Sequence, residues 1–567
     1  MPARHLVIGL DGADLDLIRE FGPERLPTLH DIMDQGAFAH LESVQPPATL
    51  PNWTTFLTGA DPGVHGVFDF TTRRGYGVRF TAGTVREVPT IASRLDDLGR
   101  SVACLSFPAT WPPEQLRRGA FMSGWDAPVA FEADQSFCWP KELHDRISAR
   151  FGTLSFDDVD EFAAEKPGWH GRLPDALVKR IEKKTQLGRW LLGDRPAEDP
   201  WDLFMLYFGE SDTAAHYLMS LHDETSPRRP RRVSEKDQDG LGRVYAALDR
   251  AVGELLEAAG PNVEISILSD HGSGASSDRV VYLNRALAEA GLLRFKDAGI
   301  SSRAAHAVKN AALTLLPPRY RDRAFRAAGT ILPSLLESRA RFGAIDFSQT
   351  LAFSDELNYF PGLWLNVKGR DPEGQVEAKD LEAVKRRVTD ALLGLRDPAT
   401  GLQVVEKVMP REELFDGPHI DRAPDLLLTL APTETGHTYN LMPSAAAPRG
   451  NSPFRSLSPD EYLGRKGRSL PGSHRPKGFY AAAGPRVAPV GEIDARIADV
   501  TATLLARMNV AVPPDAAGRV LWEILEETAD AGSPDAPEAL PPGTRRPVPA
   551  HGAAKVVERL RALGYVE

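Results

Sequence analysis

The chain has 567 residues, room for about three to five ordinary domains or for one large one. Its 42% hydrophobic and 26% charged residues are values of a folded, water-soluble chain and exclude chain-wide disorder. A formal charge of −11 excludes a protein whose main surface coats nucleic acid or an anionic membrane.

From the amino terminus, MPARHLVIGLDG reads as a buried first strand at 5–10 and not as a signal peptide, because the apolar run is short and Asp11 and Gly12 end it at once. Further continuous apolar runs at 101–107, 203–208 and 263–269 each lead through a turn into a helix-like pattern. That alternation predicts an α/β fold with a large, mostly parallel central sheet flanked by helices. Later strands are expected at 363–367, 425–430 and 478–483, and helices at 27–35, 52–59, 175–193, 235–258, 376–394 and 494–509. Cys104 and Cys138 are the only cysteines; they cannot build a disulfide framework and are expected to pack as small apolar side chains. No run approaches the roughly 20 apolar residues of a membrane span, so the chain is expected in the cytoplasm.

Three stretches break the pattern. Residues 301–345 carry Arg303, Lys309, Arg319, Arg321, Arg323, Arg326, Arg339 and Arg341 against Asp322 and Glu337, which reads as a basic helical insertion, either a solvated excursion or a cap facing an anionic ligand. Residues 529–550 are rich in Ala, Pro, Gly and Asp and read as a linker. The closing 551–567 places Val556, Leu560 and Leu563 on one helical face, expected to dock on the core. The remainder, 1–300 with 346–528, is expected to form one discontinuous catalytic domain.

Three aspartates stand where strands end: Asp11, Asp212 just beyond 203–208, and Asp270. In an open parallel sheet the carboxyl ends of the strands share one edge, and ligand sites gather there. Asp212 and His216 are spaced to share one helical face, Asp270 and His271 are adjacent, and His474 lies in a loop before the strand at 478–483. Mixed carboxylate and imidazole donors in this pattern suit a divalent metal, although each residue alone also fits a cap or a turn. His65 and His419 read as turn residues. Pro51 suits the first turn of a helix, and Thr49 just ahead of it reads either as a cap or as a hydroxyl that a metal activates for attack on phosphorus. Thr54, Thr55 and Thr58 read as ordinary helix residues.

The ordered segments GLDGADLDL, ATLPNWTTFLTGADPGVHGVFDF, GESDTAAH, SDHGSG and GSHRPKGFYAAAGP resemble the alkaline-phosphatase superfamily, in its type I phosphodiesterase and phosphohydrolase/phosphomutase branch. The resemblance implies one metal held by Asp11, Asp270, His271 and Thr49, and a second held by Asp212, His216 and His474. It further implies two divalent ions, zinc or manganese, and Thr49 as the nucleophile of a phospho-enzyme on a small phosphoester substrate. Phe70 follows Asp69 where the related nucleotide pyrophosphatases carry Asn, which sets nucleotide diesters in doubt. The run from Thr49 to Trp53 lacks the arginine and the Cys or Ser of sulfatases. Asn52 and Trp53 could frame the substrate, or Trp53 could pack beneath the helix; Arg475 and Lys477, beside His474, could clamp phosphate or face solvent. The expected activity is a metal-dependent phosphoester hydrolase, with diesters favoured over monoesters. The alternatives are a cofactor-independent phosphomutase and an inactive metal- or partner-binding protein.

Overall fold

The computed structural model describes residues 3–296 and 341–526, apart from short stretches at 82, 125–134, 153–163, 165, 197, 357–359, 448–449, 451 and 465–468. The linker and terminal helix expected at 529–567, and nearly all of the basic insertion expected at 301–345, lie outside the described residues.

The strand Ala3–Leu10 is central to a ten-stranded sheet and pairs in parallel with Trp201–Phe208 on one side and Glu264–Leu268 on the other. Beyond Trp201–Phe208 the sheet continues through Val102–Leu105 and Gly119–Met122, both parallel, to Cys138–Trp139. Beyond Glu264–Leu268 come Lys477–Ala483 and Ala37–Glu42. Lys477–Ala483 runs antiparallel to both of its neighbours. Its amino end therefore meets the carboxyl ends of the other strands, and His474, on the short strand Gly472–Arg475 where a loop was expected, arrives at the edge that carries the aspartates.

Alternation along the first strand sorts its side chains onto two faces. Leu6, Ile8 and Leu10 pack in a core with the helices Leu15–Arg25, Pro27–Gln35, Trp169–Leu192 and Gly240–Ala259. Val7 packs in another, with Trp53 and Phe56 of Thr49–Thr58 and Val500 and Leu504 of Ile497–Arg507. The result is a helix, sheet, helix sandwich. Cys104 and Cys138 are both free and buried.

The strands expected at 363–367 and 425–430 are not in this sheet. Gly362–Leu365 and Leu426–Leu430 belong to a separate four-stranded antiparallel sheet with Ala352–Ser354 and Val405–Pro410, built around its own core with Leu287, Val388 and Leu392. A continuous apolar run reports that both faces are covered, not which sheet covers them. The helix expected at 52–59 begins at Thr49, because Ala48 takes the extended capping conformation and Pro51 falls within the first turn, where no N–H is needed. The helix expected at 235–258 is split into Glu235–Gln238 and Gly240–Ala259.

Another four-stranded sheet completes the edge. Gly272–Val281 leaves the Asp270–His271 turn and pairs antiparallel with Gly472–Arg475, setting His474 opposite Ser273. Register alone thus carries a histidine across 200 residues of sequence to the turn holding Asp270.

Candidate metal centre

Asp11 follows the last residue of the first strand, and its two carboxylate oxygens have different surroundings. Oδ2 accepts from the indole of Trp53 at 3.1 Å and from the Tyr207 hydroxyl at 2.5 Å. Oδ1 is buried with no hydrogen-bond partner. Asp270 repeats the arrangement: Oδ1 accepts from the Gly12 amide at 3.0 Å, and Oδ2 is buried without a partner. Gly12 itself has φ +62, and a Cβ there would stand 3.1 Å from Asp212 Oδ1, so the turn needs glycine both for its conformation and for the close approach of Asp212.

His271 is fully buried, its Nδ1 is 3.0 Å from the Gly272 carbonyl, and its Nε2 is 3.5 Å from Asp11 Oδ1 and 3.3 Å from Asp270 Oδ2. His216 and His474 are held in the same way, by Nδ1 contacts of 3.1 Å to the Gly472 carbonyl and 2.9 Å to the Pro47 carbonyl. A neutral imidazole that donates from Nδ1 has a lone pair on Nε2. The Nε2 atoms of His216 and His474 face each other at 3.1 Å, and Asp212 Oδ1 is 3.2 Å and 3.6 Å from them.

Burial drives the titration of Asp11, Asp270, His271 and His474. It pushes the Asp11 and Asp270 carboxyls well above the usual range, with the charge of Asp212 adding to the effect on Asp11 and that of Asp11 to the effect on Asp270. It lowers His271 to about 4 and His474 well below the ordinary histidine value. His271 and His474 are therefore neutral lone-pair donors at physiological pH, crowded against carboxyl oxygens. Buried polar atoms are normally satisfied, yet Asp11 Oδ1, Asp212 Oδ1, Asp270 Oδ2 and His271 Nε2 lack hydrogen-bond partners. Acceptor atoms gathered without donors fit cations, and oxygen with imidazole nitrogen is a donor set for zinc or manganese.

Among the described residues two groups of three bring their ligand atoms within 4.8 Å of one another inside each group, Asp212 with His216 and His474, and Asp11 with Asp212 and His271. Asp212 belongs to both, so the carboxylate expected to serve one ion lies between the two groups. Their supports are also buried: Ser43 donates to the Asp270 carbonyl, Ser211 to the Asp11 carbonyl and Ser273 to the Gly12 carbonyl.

The sequence profile of the type I phosphodiesterase / nucleotide pyrophosphatase family matches residues 5–451. The chain belongs to that family. No curated protein matches the sequence significantly. Among solved structures, the fold is similar to murine ectonucleotide pyrophosphatase / phosphodiesterase 5, an inactive form in complex with AMP, at 15% identity over 92% of this chain and 100% of that one, with a TM-score of 0.47. The human counterpart gives 13% identity over 92% and 100%, with a TM-score of 0.48. Phosphonoacetate hydrolase from Sinorhizobium meliloti 1021, in complex with phosphonoformate, gives 15% identity over 89% and 96%, with a TM-score of 0.48. As a member of the type I phosphodiesterase / nucleotide pyrophosphatase family, the chain is an enzyme, a phosphoester hydrolase.

Within this phosphodiesterase fold, Asp11, Asp212, His216, Asp270, His271 and His474 all come to the one sheet edge. Thr49 is the first residue of the helix Thr49–Thr58 and 8% exposed, two residues beyond the carbonyl that receives His474 Nδ1. Three other expected site residues take different places. Asn52 is fully buried, with its Oδ1 accepting from the Val44 amide at 2.7 Å and its Nδ2 donating to the carbonyls of Ala48 at 2.9 Å and Pro46 at 3.1 Å. It ties down the loop before Thr49. Arg475 is one residue from His474 on a strand and so points to the opposite side, where it donates to Thr438 at 2.8 Å and to the Ala275 carbonyl at 3.3 Å. Lys477 is exposed, opposite Glu42.

Trp53 packs edge-on against Phe56, Phe107 and Tyr207, beneath the helix. His65 is buried 3.1 Å from the Thr55 hydroxyl and accepts from the Val67 amide, a structural position. Sequence reasoning missed Tyr207 and Asp14. Asp14 caps Leu15–Arg25 and also accepts from the Ser273 amide at 3.1 Å, tying the first turn to the strand after His271. A tyrosine inside the run LFMLYF was the available signal, since a buried phenol needs a partner.

Proposed function

We propose that this chain hydrolyses phosphoesters, diesters in preference to monoesters, with two divalent cations held by Asp11, Asp212, His216, Asp270, His271 and His474, and with Thr49 as nucleophile. The observation that carries the reading is the convergence of four buried acceptor atoms without donors, Asp11 Oδ1, Asp212 Oδ1, Asp270 Oδ2 and His271 Nε2, beside the facing pair His216 and His474. Zinc or manganese, when bound, would lower the pKa of the Thr49 hydroxyl and offset charge on the phosphoryl oxygens.

The chain's own residues supply the rest. Thr49 opens a ten-residue helix, whose first amides and dipole favour the anionic phosphoryl group. Thr49 Oγ, its proton released to solvent, forms a bond to phosphorus as the bond to the leaving ester oxygen breaks, and that oxygen takes up a proton. Water then attacks the phosphothreonine, the Thr49 Oγ–phosphorus bond breaks, and Thr49 regains its proton. Asn52 holds the loop so that Oγ meets phosphorus in line, which matters because small displacements cost large factors in rate. The diester preference is supported by the family and by Arg475, whose guanidinium is engaged by Thr438 and Ala275 and so is not placed to clamp the extra charge of a monoester dianion.

The test is to assay the metal-loaded chain on bis-nitrophenyl phosphate and nitrophenyl phosphate. Diester turnover is expected to exceed monoester turnover, to vanish with a chelator, and to be lost in Thr49→Ala. Equal activity without metal, or full activity in Thr49→Ala, overturns the proposal.

A further inference from the structure

Behind the metal centre lies a buried ion pair that the reaction does not call for. Lys184, in the middle of the helix Trp169–Leu192, is 3% exposed, and its Nζ is 2.9 Å from Glu210 Oε1, whose side chain is 2% exposed. Glu210 is the first residue of the helix Glu210–His222 that carries Asp212 and His216. The same ammonium stands 5.6 Å from the centre of the Tyr207 ring and 6.0 Å from that of Phe208. The Tyr207 hydroxyl in turn donates to Asp11 Oδ2 at 2.5 Å, beside the Trp53 indole at 3.1 Å.

Resting on the two-cation reading above, we propose that Lys184, Glu210 and Tyr207 form one positioning unit that sets the affinity of the centre for its metals. The unit has two arms that start at a single charge. Through Glu210, Lys184 fixes the first turn of the helix, the turn that also presents Asp212, with His216 one turn further on. Through the Tyr207 ring, it draws electron density from the phenol, since a cation over an aromatic face is attracted to its π electrons. That makes the hydroxyl a stronger donor to Asp11. With Oδ2 held by two donors, Asp11 can turn only Oδ1 toward a cation, and outer hydrogen bonds of this kind typically change metal affinity ten- to hundredfold.

The alternative is that the ion pair only stabilises the fold. Buried ion pairs are poor at that: replacing both partners by apolar side chains of similar size is often neutral or stabilising, whereas removing one alone is costly. The paired substitution therefore separates the two roles. Lys184→Met with Glu210→Leu removes both charges together, and Tyr207→Phe removes one hydroxyl while keeping the ring.

The experiment measures zinc affinity of the full chain by competition with a chromophoric chelator, alongside the melting temperature of the metal-free protein. The wild type is expected to bind two zinc ions. Tyr207→Phe and the Lys184→Met/Glu210→Leu pair are each expected to weaken binding about ten- to hundredfold, with the metal-free melting temperature of the paired variant unchanged or raised. Wild-type affinity in both variants overturns the positioning unit while leaving the two-cation reading intact. A wild type that binds no zinc or manganese overturns that reading itself, and the unit with it.

Discussion

Replacing Asn52 by alanine separates a structural anchor from a substrate contact. In the folded chain the Asn52 amide accepts a hydrogen bond from the Val44 amide and donates to the carbonyls of Pro46 and Ala48, with a longer 3.4 Å contact to the Val44 carbonyl and no part of the side chain exposed. Truncation strands the Val44 N–H, at about 1–3 kcal/mol, and takes a donor from each of two carbonyls, at about 0.5–1 kcal/mol apiece. The sum is about 3 kcal/mol of stability, read as a lower denaturant midpoint at unchanged slope. Because the stranded loop leads directly into Thr49, kcat is expected to fall about ten- to a hundredfold, with KM changed much less. Unchanged stability together with a raised KM and an intact kcat would refute the reasoning and return Asn52 to the substrate.

Chelation is expected to lower the melting temperature, because Asp11, Asp212 and Asp270 are then left crowded in a buried site; added zinc at a hundred times its Kd should restore about 2.7 kcal/mol, and identical melting with and without chelator would contradict the site. Glu461 is held down to about 2 by the paired hydrogen bonds from Arg455, below the roughly 4.3 of an unfolded glutamate. A depressed carboxyl adds stability above its unfolded value and loses it as pH falls toward the folded one. Glu461→Gln should therefore cost about 1–2 kcal/mol at neutral pH, with the difference from wild type closing between about pH 4 and pH 2 in urea titrations.

The candidate metal centre is legible in the sequence because its residues obey a rule of topology. Asp11, Asp212 and Asp270 each stand just past a buried strand, and parallel strands put those positions on one edge. What sequence does not carry is the direction of a side chain once register is set. Arg475 adjoins His474 in the chain yet lies on the other face of the strand Gly472–Arg475, and nothing in PGSHRPKG says which of the two faces the candidate site. Asn52 has the same composition as a substrate-binding amide; only its burial against Val44, Pro46 and Ala48 assigns it to the loop. The second sheet is hidden for a related reason: the apolar runs in Gly362–Leu365 and Leu426–Leu430 read alike whether their neighbours are parallel or antiparallel. Lys184 is equally silent, a lysine in a helix of charged residues until the fold buries it against Glu210.

The central claim is that six side chains hold two cations next to the hydroxyl of Thr49. A crystal structure of the zinc-loaded chain with vanadate, with anomalous data at the zinc edge, tests it most directly. The account predicts two zinc peaks, one against Asp212, His216 and His474 and one against Asp11, Asp270 and His271, with vanadate joined to Thr49 Oγ. Zinc at other residues, or vanadate held away from Thr49, would contradict it.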